Sequence, residues 1–402
     1  MKQIIKIVLY FILIIAFINC GGGGGSDKTV SGVILDGDGN TIDQPIIDTP
    51  KEVSDIEVLD MPKTIPCKDE EYLRLKTNEC LPLKNPSWGF IGFKVPDENV
   101  YNLTECTQEA LVALIDALPI EGGKIVMPKC KIEIKNGIDL PSNIILEGAG
   151  IGKTIISNTL LDVNQSSAIR INERNVILRN FTIDGNGVSL NGVDAYSMPN
   201  MGNVLVEFIE AKNFKSDQGS GISFLTRYAR YASRVTIRYC VTHNSLHGIN
   251  VEVYTDANML IYSNQSYNNR NYGLDISTTY RVEVAGNYIH NNDVTGAKSP
   301  RGNLITYHHN DINFNKTGGI SYMNMNWYAS ITLEENDLSN NGGLAFNASS
   351  ANFRKLILKN NIVTGSIDDN GYTIGANGVR FVDVYGDHGK IWSGTDSNIT
   401  YY

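Results

Sequence analysis

The chain has 402 residues, of which 19% are charged and 42% are apolar, and its formal net charge is −9. This composition has too few charged residues for a coiled coil and too many apolar residues for a mostly disordered chain. The negative charge argues against a nucleic-acid binder, which needs a basic surface to neutralise phosphates. The 38 glycines and 44 asparagines, 36 of which follow residue 150, favour a fold made of many turns.

The N-terminus has the pattern of an export signal. Lys2 and Lys6 precede an apolar run over residues 7–18, which is too short for a membrane-spanning helix. The run is followed by Cys20 and five glycines. This order of basic, apolar and cysteine-containing parts predicts an exported protein.

The residues before Cys20 resemble the lipid-attachment box of bacterial lipoproteins. They read Phe-Ile-Asn-Cys, with Phe and Asn where Leu and a small residue are commoner. The resemblance implies that residues 1–19 are a lipoprotein signal peptide and that Cys20 carries a lipid. We therefore expect a protein anchored to a bacterial membrane, on the periplasmic or surface face of the outer membrane. The alternative is an uncleaved anchor or an ordinary secretory signal.

Two short regions precede the main domain. Residues 20–66 contain Gly, Ser, Asp and Pro without a sustained period, which predicts a Gly-rich tether and an acidic irregular segment. Within them, residues 36–40 resemble the start of a calcium loop. Thr41 and Ile47 stand where such a loop needs Gly and Glu, so no metal site is predicted there. Residues 67–100 form a small cysteine-containing lead-in.

The remaining cysteines fit an exported protein. None has a CxxC spacing, so a zinc or redox site is not predicted. Four cysteines allow three pairings, which the sequence leaves open. The pairs we expect are Cys67 with Cys80, closing a short loop, and Cys106 with Cys130, joining a helix to the first strand. Cys240 lies in a strand pattern and is predicted to be a small buried residue.

One helix and a long series of short strands are predicted after the lead-in. Apolar residues recur at helical spacing over Thr104–Leu118, just before Pro119. Beyond the helix, Asn-rich segments recur at intervals of 23, 23 and 26 residues, starting at Asn264, Asn287, Asn310 and Asn336. Between them lie Gly-led stretches of alternating apolar residues.

A period in this range indicates a solenoid in which each repeat is one turn. Asn suits the turns because it tolerates left-handed backbone angles, and its amide can bond to the Asn of the next turn. A leucine-rich repeat would need a denser leucine pattern than this chain has. The sequence therefore predicts an all-β solenoid.

Three segments, 120–129, 140–156 and 175–186, resemble a known family. They read IEGGKIVMPK, LPSNIILEGAGIGKTII and NVILRNFTIDGN, and they follow the predicted helix. They are similar to the entry segment of right-handed parallel β-helix proteins of the pectate-lyase-like class. The resemblance implies a right-handed parallel β-helix over residues 101–402 with an N-terminal capping α-helix.

Within that class the pattern is most similar to the modules of alginate C5-epimerases and alginate lyases. Those epimerases have a Tyr-Gly-Phe-Asp-Pro-His-like strand whose Tyr, Asp and His act on the uronate. The direct match, residues 220–225, retains none of the three. The strands 247–252 and 272–277, one and two turns further on, each retain at most two. The resemblance thus specifies the fold and leaves the reaction open among lyases, epimerases, hydrolases and non-catalytic proteins.

Candidate site residues lie on the Gly-led strands, whose outward side chains should form columns along a groove. We expect Asn250 and Asp275 in one column and Glu252 with Ser277 in the next. Two carboxylates on neighbouring turns could serve as acid and base in glycoside hydrolysis, or bind Ca²⁺. His247 with Tyr272 or Tyr254 could instead abstract a proton beside a uronic carboxylate. The predicted catalytic residues are therefore His247, Glu252, Asp275 and Tyr272, and the predicted substrate-binding residues include Asn250, Ser223 and Tyr254.

Residues 212–238 have a local positive charge within this acidic chain. Arg227 and Arg230 follow the Ser223 strand in a loop, so we expect them to reach the groove and attract an anionic glycan. Arg227 is the alternative catalytic base and Arg230 a substrate-binding residue. Three other polar residues, His243, His308 and His309, lie in predicted turns and are expected to be solvent-exposed.

The sequence therefore predicts a monomeric, lipid-anchored protein that binds and cleaves or modifies an acidic polysaccharide. It predicts no contact with nucleic acid and contact with the membrane through the lipid alone. No cofactor is required, and Ca²⁺ is the one candidate ion. The alternative is a non-catalytic adhesin or glycan-binding scaffold on the same fold.

Overall fold

The structure is a computed structural model, and the part of it that is described begins at residue 58. The predicted signal peptide, Cys20 and the tether up to residue 57 lie outside the described part. Within that part, no helix has the length and apolar character needed to cross a membrane. The described ranges are 58–159, 167–195, 202–214, 219–226, 233–253, 257–322, 329–348, 353–377, 379–386, 388–393 and 397–402.

The lead-in, residues 67–100, begins with an antiparallel hairpin of β1 (Glu71–Arg74) and β2 (Glu79–Pro82). A disulfide joins Cys67 to Cys80 at the base of the hairpin, the pair expected from the sequence. Two single 3₁₀ turns follow, Pro86–Trp88 and Asp97–Asn99. The lead-in therefore has little regular structure of its own and depends on packing against the rest of the chain.

The main domain begins with β3 (Val100–Asn102) and the helix α1 (Gln108–Asp116). The helix is shorter than the predicted Thr104–Leu118, because Thr107 accepts a hydrogen bond from the Ala110 N–H and so forms the N-cap. Leu111 and Ile115 bury the inner face of the helix. A disulfide between Cys106 and Cys130, the expected pair, fixes the start of the helix to the second strand after it and not to the first.

The chain then forms a long run of short strands. The first half contains β4 Gly123–Val126, β5 Cys130–Ile134, β6 Ile138–Leu140, β7 Ile144–Glu147, β8 Thr154–Asn158, β9 Ile169–Ile171, β10 Val176–Asp184, β11 Asn191–Asp194, β12 Asn203–Lys212, β13 Ser220–Thr226, β14 Ser233–Arg238, β15 Val241–His243, β16 His247–Val253 and β17 Ala257–Tyr262. The second half contains β18 Gln265–Tyr267, β19 Tyr272–Ala285, β20 Tyr288–His290, β21 Thr295–His308, β22 Asp311–Asn313, β23 Gly318–Ser321, β24 Ser330–Glu334, β25 Phe346–Asn347, β26 Phe353–Lys359, β27 Ile374–Gly375, β28 Val379–Tyr385, β29 Ile391–Trp392 and β30 Asn398–Tyr401.

These strands stack as three parallel sheets that the chain visits in turn. Sheet A contains β3, β4, β7, β14, β17, β24, β26, β28 and β30, the first halves of β10 and β12, and the second halves of β19 and β21. Sheet B contains β5, β8, β15, β18, β20 and β22 with the second halves of β10 and β12. Sheet C contains β6, β9, β11, β13, β16, β23, β25, β27 and β29 with the first halves of β19 and β21. The pairing is parallel throughout, as a β-solenoid requires.

The core lies inside the coil. One continuous cluster of buried apolar side chains extends from Leu103, just before the helix, to Val384 near the last turn. Alternate residues of each strand point into this cluster, and their neighbours point outward. The predicted solenoid and its capping helix are therefore confirmed.

Asparagines form the turns between the sheets at two kinds of position, one with a left-handed backbone and one with a buried side-chain amide. In the pair Asn291–Asn292, the first residue has a left-handed backbone with φ of 54°. The amide of the second residue is buried and donates to Asn315 Oδ1 at 2.9 Å, one turn further along. The same ladder continues through Asn269 on one side and Asn341 on the other. The turns thus repeat because each Asn amide bonds to the turns on both sides of it.

Candidate functional site

Glycines begin the strands of sheet C that carry the predicted site. An ideal Cβ on Gly248 would lie 2.0 Å from Ser266 Oγ, and one on Gly273 would lie 2.4 Å from Ile289 Cγ2. Sheet B packs so closely at this corner that only glycine fits. The Gly-led pattern therefore fixes where each strand starts and which of its side chains face outward.

The predicted site residues meet on the outer face of β16 and β19. Three pairs are neighbours across these strands: His247 with Tyr272, Asn250 with Asp275, and Glu252 with Ser277. The two columns predicted from the sequence are therefore present. Parallel strands lie about 4.8 Å apart, so one sugar unit could contact both strands at once.

A lysine that the sequence pattern does not predict lies beside these residues. We call His247, Asn250, Glu252, Tyr272, Asp275 and this lysine the cluster. Lys298, on β21, is the register partner of Asp275. Its Nζ lies 3.9 Å from Asp275 Oδ2 and 4.7 Å from the centroid of the Tyr272 ring. Lys298 belongs to the same sequence pattern as Asn250 and Asp275, a glycine, an apolar residue and an outward residue, which recurs one turn further along as Gly296-Ala297-Lys298. Its Ala stands where the neighbouring frames have Ile or Leu, so the pattern is weaker there.

Asp275 is the most perturbed carboxyl group of the cluster. Burial raises its pKa to about 6, because only 7% of the residue is exposed. The nearby Lys298 ammonium and a hydrogen bond from Ser277 Oγ, 3.1 Å from Asp275 Oδ1, oppose this rise, while the Glu252 carboxylate adds to it. A carboxyl group with such a pKa exchanges protons near neutral pH, as a general acid or base must.

His247 is held in its neutral form. Its ring stacks on Tyr272, with 5.3 Å between centroids. Burial, with a smaller effect from the Lys298 charge, lowers the pKa of His247 to about 4. Its buried Nδ1 has no hydrogen-bond partner among the described residues. A neutral imidazole has a free lone pair for a proton, and the burial that lowers the pKa of His247 also makes it a weaker base than an exposed histidine.

The predicted substrate-binding residues have different outcomes. Asn250 is partly exposed within the cluster. Ser223 occupies the same column, but the structure buries it completely, so it does not line an accessible groove as predicted. Arg227, Arg230 and Tyr254 lie outside the described residues and stay predictions.

The described cations of the basic stretch, residues 212–238, do not lie beside the predicted site. Arg238 lies on sheet A, and its Nη2 pairs with Glu207 Oε2 at 2.6 Å. Lys212 lies on sheet B, 3.0 Å from Glu210 Oε2. Arg238 therefore neutralises a carboxylate of the preceding turn, Lys212 neutralises one on its own strand, and neither lies beside the predicted site on sheet C.

The turn histidines are also not solvent-exposed as predicted. His308 is fully buried, with Nε2 2.9 Å from Glu283 Oε1 and Nδ1 3.1 Å from the Tyr72 hydroxyl. His243 is 9% exposed and stacks on Tyr267. His309 is mostly covered and pairs with Glu335. For His308, the physical reason is that the lead-in packs over its turn.

The described residues also enclose a cavity, which lies apart from the cluster. A cavity of about 370 Å³ lies between the lead-in and sheet A, lined in part by Phe90, Arg238 and Tyr262. It contains none of the predicted site residues. Within the described ranges, no group of three or more His, Cys, Asp and Glu side chains is placed to hold a metal ion.

Comparisons with known proteins agree with this architecture. No curated protein sequence matches the chain. Among solved structures it is similar to the A-module of the Azotobacter vinelandii mannuronan C-5 epimerase AlgE4, at 19% identity and a TM-score of 0.50, over 79% of this chain and 96% of that one. It is also similar to the Agl-KA catalytic domain, at 15% identity and a TM-score of 0.55, over 78% and 70% of the two chains.

A third similar structure is the gp42 tailspike of Acinetobacter phage vb_AbaP_AS12, at 10% identity and a TM-score of 0.52, over 77% of this chain and 64% of that one. At such identities the likeness shows the fold alone. The family model described as "Right handed beta helix region" matches residues 142–328 and 228–384. Together these ranges cover more than half of the chain, and the protein therefore belongs to the right-handed β-helix family.

Proposed function

We propose that the cluster on sheet C acts on an acidic polysaccharide by abstracting the proton next to a uronate carboxylate. The observation that carries this proposal is the placement of Lys298 against both Asp275 and Tyr272. A uronate needs a positive or hydrogen-bonding partner for its carboxylate before the adjacent carbon can lose a proton. Lyases and epimerases share this first step.

Each member of the cluster has a chemical role in this proposal. Lys298 faces the substrate carboxylate, and Asp275 donates a hydrogen bond to it in the protonated form, which predominates below about pH 6. His247, neutral at pH 7, takes the proton from the sugar carbon, and the Tyr272 phenol supplies one. In β-elimination that proton goes to the leaving glycosidic oxygen. In epimerisation it returns to the carbon from the opposite face.

The strand sequence supports the same chemistry. Tyr272-Gly273-Leu274-Asp275 retains the Tyr and Asp of the epimerase-like strand at the same spacing, with Ser277 in place of its His. His247 comes from the preceding turn and stacks on Tyr272. We infer that it replaces the missing imidazole in space.

Hydrolysis is the second candidate function. Glu252 lies on the strand next to Asp275 and contributes to its raised pKa. A pair of carboxyl groups is the usual machinery of glycoside hydrolysis. The two reactions leave different products, so one experiment separates them.

The test is incubation with polymannuronate, alginate and pectate in deuterated buffer. If the reaction is epimerisation, we expect NMR to show deuterium at the carbon beside the carboxylate. If it is elimination, we expect ultraviolet-absorbing unsaturated ends. Lys298→Met and Tyr272→Phe should each reduce the rate by at least about 100-fold. Asp139→Asn is the matched control, because Asp139 faces outward on sheet C several turns away, paired with Arg170.

The other outcomes are equally specific. New reducing ends without unsaturated ends or deuterium would show hydrolysis in place of proton abstraction. Glycan binding without any product, unchanged in a His247→Ala, Glu252→Ala double variant, would show a non-catalytic adhesin. Absence of both product and deuterium over the whole panel would overturn the proposed reaction.

A further inference from the structure

The turn that carries Lys298 contains a polar pair inside the otherwise apolar core. Tyr307, on the sheet A half of β21, is fully buried and points inward. Its register neighbours on the two adjacent strands are Val284 and Leu333. A tyrosine hydroxyl in such a column needs a hydrogen-bond partner, because burying it without one is costly.

Ser299 provides that partner. It directly follows Lys298, is fully buried, and its Oγ hydrogen-bonds to the Tyr307 hydroxyl. The residues in the equivalent position on the two preceding strands, Val251 and Ile276, are apolar. The serine and the tyrosine are thus two polar residues of the core that meet in one turn, and this is the turn with Lys298. In the next turn the position of Ser299 is taken by another buried tyrosine, Tyr322.

The pair joins the two arms of one bent strand. β21 starts in sheet C and ends in sheet A, and Ser299 and Tyr307 lie on either side of the bend, eight residues apart. Beyond Lys298 the pairing of β21 with β19 becomes irregular, because Ser277 is the register partner of Arg301 and not of Pro300. Proline has no N–H to donate to the ladder. The backbone next to Lys298 therefore lacks regular support from sheet C.

We propose that Ser299 and Tyr307 are positioning residues whose buried hydrogen bond holds the β21 backbone so that Lys298 reaches Asp275 and Tyr272. A role of this hydrogen bond in catalysis rests on the proposed function, whereas its effect on the position of Lys298 is independent of that function. Neither residue touches the substrate groove. Both act through Lys298, which lies on the opposite face of the same strand.

The experiment follows the titration of the Asp275 carboxyl by carbon NMR, with the signal assigned by its loss in Asp275→Asn. The Lys298 ammonium lowers the pKa of Asp275, so Lys298→Met should raise it and set the upper limit. Tyr307→Phe removes only the hydroxyl and should move the titration toward that limit. Ser299→Ala, which leaves the tyrosine in place, should move it in the same direction.

Thr154→Val is the control for a general loss of stability. Thr154 is buried several turns away on sheet B, and its Oγ1 donates to the Pro128 carbonyl and accepts from the Ala149 N–H. This variant should lower the denaturation midpoint at least as much as Tyr307→Phe and leave the titration of Asp275 unchanged. An Asp275 titration that is unchanged in both Tyr307→Phe and Ser299→Ala would overturn the proposal.

Activity gives a second, separate reading. If the wild-type protein processes a polyuronate, Tyr307→Phe should lower kcat more than it raises KM, because the groove remains and only the orientation of Lys298 changes. If the wild-type protein processes none, the proposed function fails, and the titration still decides whether the buried pair positions Lys298.

Discussion

Asp275 illustrates how burying a single carboxyl group can lower stability at neutral pH. Its carboxyl is 7% exposed, and its pKa is raised from 3.8 to about 6, first of all by burial. Such a group binds its proton more tightly in the folded chain than in the unfolded chain. Ionising it at neutral pH therefore costs folding free energy, which the Lys298 charge only partly offsets.

The pH dependence of Asp275→Asn follows from this sign. Above about pH 6 the variant should be more stable than the wild type, by about 3 kcal/mol, because it carries no buried charge. Below about pH 4 both side chains are neutral and the difference should vanish. Urea denaturation midpoints at about pH 8 and about pH 4 measure the effect.

Asp139→Asn makes the same chemical change with the opposite expectation. Hydrogen bonds from Arg170 hold the pKa of Asp139 below its ordinary value, although burial opposes this. Its ionised form therefore adds stability at neutral pH that is lost on acidification. The variant should be slightly less stable than the wild type at about pH 8 and equal to it at low pH. An Asp275→Asn variant that behaved in the same way would contradict a raised pKa.

Contacts set by the repeat were predictable from the sequence, and contacts between residues distant in sequence were not. The columns of Asn250 with Asp275 were predictable because the strand period of two and the repeat length together fix which side chains are neighbours. The burial of His308 was not, since it depends on Tyr72, 236 residues away in sequence. Lys298 was missed because Ala297 weakens the apolar alternation that marks the strand.

At the scale of the element, the Asn-Asn pairs divide two tasks that the sequence analysis assigned to asparagine in general. Asn291 supplies the left-handed backbone of the turn. Asn292 supplies the buried amide, which donates to Ser266 and His290 carbonyls as well as to Asn315. Its own Oδ1 accepts from the backbone and side chain of Asn269. The repeat spacing predicts the turn, and the distinction between the two positions needs the structure.

Replacing each member of the pair by glycine separates these tasks. Asn291→Gly should change the unfolding free energy by less than about 0.5 kcal/mol, because glycine adopts the left-handed conformation freely. Asn292→Gly should cost about 3 kcal/mol or more, since it leaves several buried donors and acceptors without partners. Denaturant midpoints of the two variants measure the difference. Equal losses would show that the amide ladder adds nothing beyond the turn conformation.

At the scale of the whole molecule, the lead-in runs along the outside of sheet A toward the capped end. Tyr72 contacts His308 on β21, Asn85 contacts Glu283 on β19, and the Phe90 N–H donates to Thr236 Oγ1 on β14. The chain then enters the first turn as β3, paired with β4. Solenoid turns otherwise contact only their neighbours. The lead-in therefore links turns that are distant along the stack.

Glu283 is the central anchor of this link. It is fully buried and accepts hydrogen bonds from the Lys84 N–H at 2.7 Å, from the Asn85 N–H at 2.7 Å and from the Asn85 side chain at 2.9 Å, with His308 Nε2 2.9 Å away. Burial alone would raise the pKa of Glu283, but these hydrogen bonds hold it below its ordinary value. The anchor is therefore strongest at neutral pH and is lost on acidification as the carboxyl protonates.

Glu283→Gln should release the lead-in while the solenoid stays folded. The amide keeps one acceptor oxygen but puts a donor where Glu283 accepts from a backbone N–H, so amide hydrogens near Lys84 and Asn85 should exchange at least about tenfold faster. Peptides from the Asn292 ladder should keep their protection, because neighbouring turns hold them. The matched control is Glu334→Gln, which removes the partly exposed ion pairs of Glu334 with Lys84 and Lys359 and should leave exchange nearly unchanged. Equal lead-in exchange in the two variants would show that Glu283 is not a local anchor. Loss of ladder protection together with lead-in protection in Glu283→Gln would show that the lead-in and the solenoid unfold as one unit.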